Sequence, residues 1–181
     1  MEKILLLILV CFFLVSCAST GVIGNSTEVH SEYDRFENET KYETPEVRLL
    51  RPGFFDFLFD ITNHRVDLKS YYRCNSEKPC IPKHVIFSFS SQSKNWKYLY
   101  NSNLDMIIDG KRYDFEELER VSLVGSGGVY ETLLLMMDLE KFLDFSEAEN
   151  VELRLGGDEM TLTPKELIVF KNMAKFIKES E

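Results

Sequence analysis

The chain has 181 residues, 14 Phe, 8 Tyr and a net charge of −9 at neutral pH. Such a length suits one domain with a sizeable core plus a short extension. The acidity argues against nucleic acid as a partner, since binding it needs a basic footprint, and gives no overall attraction toward anionic lipid.

Met1 to Lys3 form a short polar start, and Ile4 to Val15 an unbroken apolar run of twelve residues. A helix needs ~20 apolar residues to cross a bilayer, so this run is too short to span one. It fits the apolar region of a secretory signal peptide. The run leads through Ser16, a small residue, to Cys17.

Leu14-Val15-Ser16-Cys17 resembles the lipobox of bacterial lipoproteins. The resemblance covers only about the first twenty residues. It implies cleavage before Cys17, a diacylglycerol on its thiol and acylation of the new amine. Membrane lipid held through Cys17 is the partner it implies. A single acyl chain anchors only marginally, whereas two or three hold a protein on a membrane. Ala18 and Ser19 follow Cys17, and neither is the Asp that resembles an inner-membrane retention signal. Outer-membrane sorting is favoured if there are two membranes. The expected division is a signal peptide over 1–16, a lipidated flexible tether over 17–28 and one domain over 29–181. The tether is rich in Ser, Thr, Gly and Asn, too polar to order itself.

Val29, Ser31, Tyr33 and Phe36 suggest a first strand, and the acidic stretch 28–46 reads as a solvated strand face and loop. Phe54-Phe55-Asp56-Phe57-Leu58-Phe59, after Pro52-Gly53, is the most apolar segment beyond the leader. It is expected in the core; exposed, it would mark a binding patch. A strand over Val66–Tyr72 runs into Cys74. With Cys11 removed and Cys17 acylated, Cys74 and Cys80 remain as a pair. A disulfide is expected in an oxidising compartment, against two alternatives, free thiols or a metal or redox pair. Five intervening residues do not match the CxxC redox spacing.

His84 to Ser90 alternates as a strand. Trp96, the only Trp, and Tyr98 follow, expected to pack and otherwise part of an aromatic binding patch with Phe54, Phe55 and Phe57. Asp109-Gly110 marks a hairpin between Leu104–Ile108 and Lys111–Tyr113. Arg120–Val124 and Val129–Met137 read as strands joined by Gly125-Ser126-Gly127-Gly128. This loop lacks the lysine of a phosphate loop and the setting of a GxSxG nucleophile. A short helix over 138–149, strands at Val151–Leu155 and from Met160, and a final helix complete the chain. Thr163-Pro164-Lys165-Glu166 carries cap, first-turn proline and capping box together.

The predicted fold is α+β, a mainly antiparallel sheet or two-sheet sandwich with a short helix and a C-terminal helix packed on it. His30, His64 and His84 have no ligand-spaced partners, and structural or surface roles are expected for them. No catalytic residue, metal or cofactor is indicated. The function expected is that of a membrane-anchored envelope lipoprotein, a non-catalytic binding or structural module whose protein or small-molecule ligand is unknown. Two alternatives stand beside it: a periplasmic or surface hydrolase whose acid and base meet only in the fold, and a surface-exposed adhesin-like protein.

Overall fold

A computed structural model describes residues 26–50 and 64–180. The apolar run Ile4 to Val15, Cys17, and the segment bearing Phe54, Phe55 and Phe57 lie outside the described residues.

Among the described residues eleven strands and two helices follow in order: β1 (His30–Asp34), β2 (Glu39–Glu43), β3 (Val47–Leu50), β4 (Arg65–Cys74), β5 (His84–Ser93), β6 (Asn103–Ile108), β7 (Lys111–Glu117), β8 (Glu119–Gly125), β9 (Gly128–Asp138), α1 (Leu139–Glu147), β10 (Val151–Leu155), β11 (Asp158–Leu162) and α2 (Pro164–Lys178). The larger sheet runs β1-β2-β4-β5-β9-β8, with β3 also paired to β4; the smaller runs β11-β10-β6-β7. All the pairings are antiparallel. The expected α+β class with two antiparallel sheets and two helices is the observed one.

Alternation sorts the side chains. On β5, Val85, Phe87 and Phe89 are buried, as are Leu133, Leu135 and Met137 on β9. Leu104 and Met106 of β6 and Val151, Leu153 and Leu155 of β10 are buried from the smaller sheet. Both sheets and both helices feed one apolar cluster. At its centre Phe87 meets Phe142 and Phe145 of α1 and Phe170 of α2.

Local signals locate the turns. Asp109 and Gly110 take φ values of 47° and 81°, as a type I′ hairpin turn requires. The Asp109 carboxylate then accepts the N–H groups of Glu149 and Asn150 at 3.1 and 2.8 Å, tying this hairpin to the start of β10. The Gly125–Gly128 loop joins two strands and precedes no helix. Gly128 has φ +117°, and a Cβ there would sit 2.3 Å from the Ser93 carbonyl oxygen, so the backbone geometry alone accounts for glycine. The capping box of α2 forms as expected: Thr163 N–H donates to Glu166 Oε2 at 2.8 Å, and Glu166 N–H to Thr163 Oγ1 at 3.4 Å.

One reading of the N-terminal third changes. β1 forms where a first strand was expected, at a sheet edge and with all five residues exposed. The acidic stretch 28–46, expected as a solvated strand face and loop, also contains β2, with Thr40 and Tyr42 buried, and β3 follows it with Val47 buried. Tyr42 stacks on Tyr72 of β4 at 5.1 Å between ring centroids, a contact set by the register with β4 and not by local pattern.

Candidate functional site

Cys74 and Cys80 are bonded, with an S–S distance of 2.06 Å, closing a six-residue separation at the end of β4. The Pro79-containing link turns the chain back far enough for the two Cα atoms to lie 5.8 Å apart, within ordinary disulfide geometry.

Trp96 and Tyr98, both expected to pack, have different surroundings. Trp96 is partly exposed, and the Arg120 guanidinium lies 5.8 Å from its ring centroid. Tyr98 does not belong to any surface patch: it is 1 % exposed. Its burial follows from anchors at both ends. Its backbone N–H donates to Glu131 Oε1 at 3.2 Å, and its hydroxyl donates to Asp158 Oδ2 at 2.8 Å. Glu131, buried on β9, also accepts the Lys97 N–H at 2.8 Å, while Arg120 donates to the Tyr98 carbonyl at 3.0 Å. The connection between β5 and β6 is thereby clamped onto β9 and β11.

His64 completes this cluster. Its Nε2 lies 3.3 Å from Ser91 Oγ and 3.4 Å from the Tyr98 hydroxyl, and its Nδ1 lies 3.8 Å from Asp158 Oδ2. Serine, imidazole and carboxylate thus fall in the order used by serine hydrolases. The details differ from a working relay. The carboxylate is too far from Nδ1 for a hydrogen bond and is already bonded to the Tyr98 phenol. Ser91 and His64 are both buried, whereas a nucleophile must be reached by its substrate. The arrangement reads as a polar pin between the two sheets, since Ser91 and Glu131 belong to the larger and Asp158 to the smaller. Sequence spacing could not reveal it: its members are brought together across 94 positions by sheet pairing, His64 at one end and Asp158 at the other.

Burial pushes the Tyr98 phenol pKa up, reinforced by Asp158. Burial also holds His64 below the usual imidazole range, aided by Lys97 and opposed by Asp158 and Glu131. An imidazole that resists protonation in the fold but not in the unfolded chain makes stability fall as pH drops through about 6.5. Urea midpoints measured at pH 7.5 and 5.5 are expected to fall at the lower pH, and His64→Gln is expected to flatten that difference. Equal pH dependence in both proteins would show that His64 is not its source.

Two surfaces remain. On the outer face of the smaller sheet, Asp105 accepts from Arg112 Nη2 at 3.0 Å and Arg154 Nε at 2.9 Å, beside Glu152 and Glu159. They line a shallow groove of about 310 Å³, where Arg154 chiefly, and then Arg112, hold the Asp105 carboxyl below its ordinary pKa. Asp105 is thus satisfied by both arginines, and Arg154 also stands opposite Glu159 across β10 and β11. No group of three or more metal-ligating side chains occurs among the described residues.

The second surface is apolar and was not anticipated. Val121, Leu123 and Val124 of β8 and Met136 of β9 are 60 %, 69 %, 62 % and 66 % exposed. Leu123 sits opposite Tyr130 and Val121 opposite Thr132, so the outer face of these two strands carries Val121, Leu123, Tyr130 and Met136 together. The strand was legible from Val121 and Leu123, but its place at the rim of a sheet was not.

No protein-family model, curated protein or solved structure matches this chain.

Proposed function

We propose that this protein is a lipid-anchored component of a bacterial envelope, working as a binding or structural module. It is held to the membrane through acyl chains on Cys17, and in a two-membrane envelope it is sorted to the outer one. The observation that carries the reading is the pairing of two features. The leader ends in Leu14-Val15-Ser16-Cys17, and the folded domain contains the Cys74–Cys80 disulfide. A disulfide of this kind persists outside the reducing cytosol, where such a leader sends a chain. The exposed apolar surface of β8 and β9 supports the binding role, because contiguous apolar surface of this sort marks contacts with partners.

Metabolic labelling with palmitate tests the anchor. Wild-type protein is expected to take up label and to sediment with membranes. Cys17→Ala is expected to lose the label entirely. An unlabelled wild-type protein would end the assignment.

A hydrolase is the second reading, favoured by the approach of Ser91 Oγ to His64 Nε2. Burial of both groups weighs against it. Covalent labelling of the native protein by a fluorophosphonate, lost in Ser91→Ala, would reverse that preference.

A further inference from the structure

We propose that the free edge of β8 is a self-association surface, on which two copies of the chain pair antiparallel about Ser122 and join their larger sheets into one.

The sheet edges are treated very differently. β1, at the opposite edge of the larger sheet, carries His30, Glu32 and Asp34. β7, at one edge of the smaller sheet, carries Lys111, Arg112, Asp114, Glu116 and Glu117. β11, at the other, begins with Asp158 and Glu159 and has α2 packed beside it. Charges and coverings of this kind keep strand edges from pairing with other chains. β8 has Glu119 and Arg120 only at its start, then Val121-Ser122-Leu123-Val124-Gly125 without a charge or a proline. Among the described residues it pairs with β9 on one side only. Its other side presents a row of backbone donors and acceptors flanked by exposed aliphatic side chains. Any occupant must satisfy those groups in the plane of the sheet, which an extended strand does and a compact surface does not.

The occupant is argued from the strand's own sequence. A two-fold axis through Ser122, the midpoint of β8, uses all seven residues of the strand. In that register Val121 meets the partner's Leu123, and Leu123 meets the partner's Val121, two aliphatic cross-strand pairs on the outer face. Arg120 falls opposite the partner's Val124, and Glu119 opposite the partner's Gly125. No like charges face each other, although each chain carries −9 overall. The outer apolar strip of Val121, Leu123 and Tyr130 then runs unbroken across the axis. A symmetric contact of this type closes on itself and stops at two copies.

Ser122→Cys tests the register in the full-length, membrane-attached protein. In the proposed pairing the two introduced thiols face each other, with Cβ atoms ~5 Å apart. Val124→Cys serves as the control. Its two copies are offset by four residues along the strands, ~13 Å, beyond the reach of a disulfide. Mild oxidation is expected to yield a linked dimer from Ser122→Cys at a level at least ~10-fold above Val124→Cys and the unsubstituted chain, given that difference in reach. Adding Val121→Lys to Ser122→Cys is expected to return the dimer to the control level, by placing a charge on the edge, with the thermal midpoint of the protein unchanged. The proposal is overturned if folded Ser122→Cys stays monomeric, if Val124→Cys links as efficiently, or if Val121→Lys leaves the link intact. Pairing of β8 with a strand of another protein would give the first of these outcomes.

Discussion

Phe87→Ala is expected to lower stability by about 3–5 kcal/mol, the largest loss from any single truncation in this core. Phe87 stands on the central strand β5 and is fully buried. Its ring lies 4.9 Å from that of Phe145 in an edge-on arrangement, and 5.8 Å from those of Phe142 and Phe170. Phe145 and Phe170 also meet each other at 5.2 Å. The cavity left by alanine would therefore be bounded by one strand and two helices, and each wall is held by its own pairing, so collapse is hindered. Aromatic pair contacts worth about 0.5–1.5 kcal/mol each are lost along with the buried area. Most domains have only about 5–15 kcal/mol in total. Urea unfolding with the Cys74–Cys80 disulfide intact measures the change. Phe87→Leu, which fills much of the space, is expected to lose far less. Equal losses for the two substitutions would mean that ring packing is not what this position supplies.

Glu131→Ala is the second large effect, expected to cost on the order of 3 kcal/mol, because it leaves the buried Tyr98 N–H and the part-buried Lys97 N–H without an acceptor. The Glu131 carboxylate takes the N–H groups of Lys97 and Tyr98 and lies 4.0 Å from Arg120. Without it the β5–β6 connection loses its hold on β9, and Tyr98 loses one of the two anchors that bury it. The loss has a local signature besides the global one. Amide exchange at Lys97 and Tyr98 is expected to rise far more than at Phe87 in β5, since the clamp fails before the sheet does. Exchange rising by the same factor at all three positions would instead indicate that the carboxylate stabilises the whole fold and not this connection. Asp158, which holds the other end of Tyr98, offers an independent check: Asp158→Asn keeps an acceptor for the phenol and is expected to be milder.

The parts of this protein that could be read directly are those whose chemistry is local. Thr163, Pro164 and Glu166 start α2 because a cap, a fixed φ and a returning carboxylate act within four residues. Asp109-Gly110 turns a hairpin because both residues tolerate positive φ. The alternation of Val85, Phe87 and Phe89 marks a strand with one buried face because neighbouring side chains on a strand point to opposite sides. Cys74 and Cys80 could be paired by counting once Leu14-Val15-Ser16-Cys17 is read as a lipobox, a reading that sets Cys11 and Cys17 aside.

What failed to show in the sequence depends on which strands become neighbours. β1 was legible as a strand but not as an edge: its five residues are all exposed, whereas β5, with Val85, Phe87 and Phe89 buried, lies inside the larger sheet between β4 and β9. Tyr98 and Trp96 are two residues apart with similar apolar bulk. One is buried by Glu131 and Asp158, which stand 33 and 60 positions away, and the other remains at the surface beside Arg120. His64 reads as an isolated histidine until β4 pairs with β5 and brings Ser91 beside it. The same holds for β8, whose aliphatic residues would suit an interior strand and become a surface because, among the described residues, no strand follows on its far side.

Sequence alone was enough to specify the class of fold, most of its strands, the helices α1 and α2 and the Asp109-Gly110 turn, since each rests on interactions between residues close along the chain. Tertiary structure alone decided which polar groups are buried together and which apolar strand is left open. Both are outcomes of long-range pairing, where a backbone hydrogen bond carries no record of which side chains it will bring into contact.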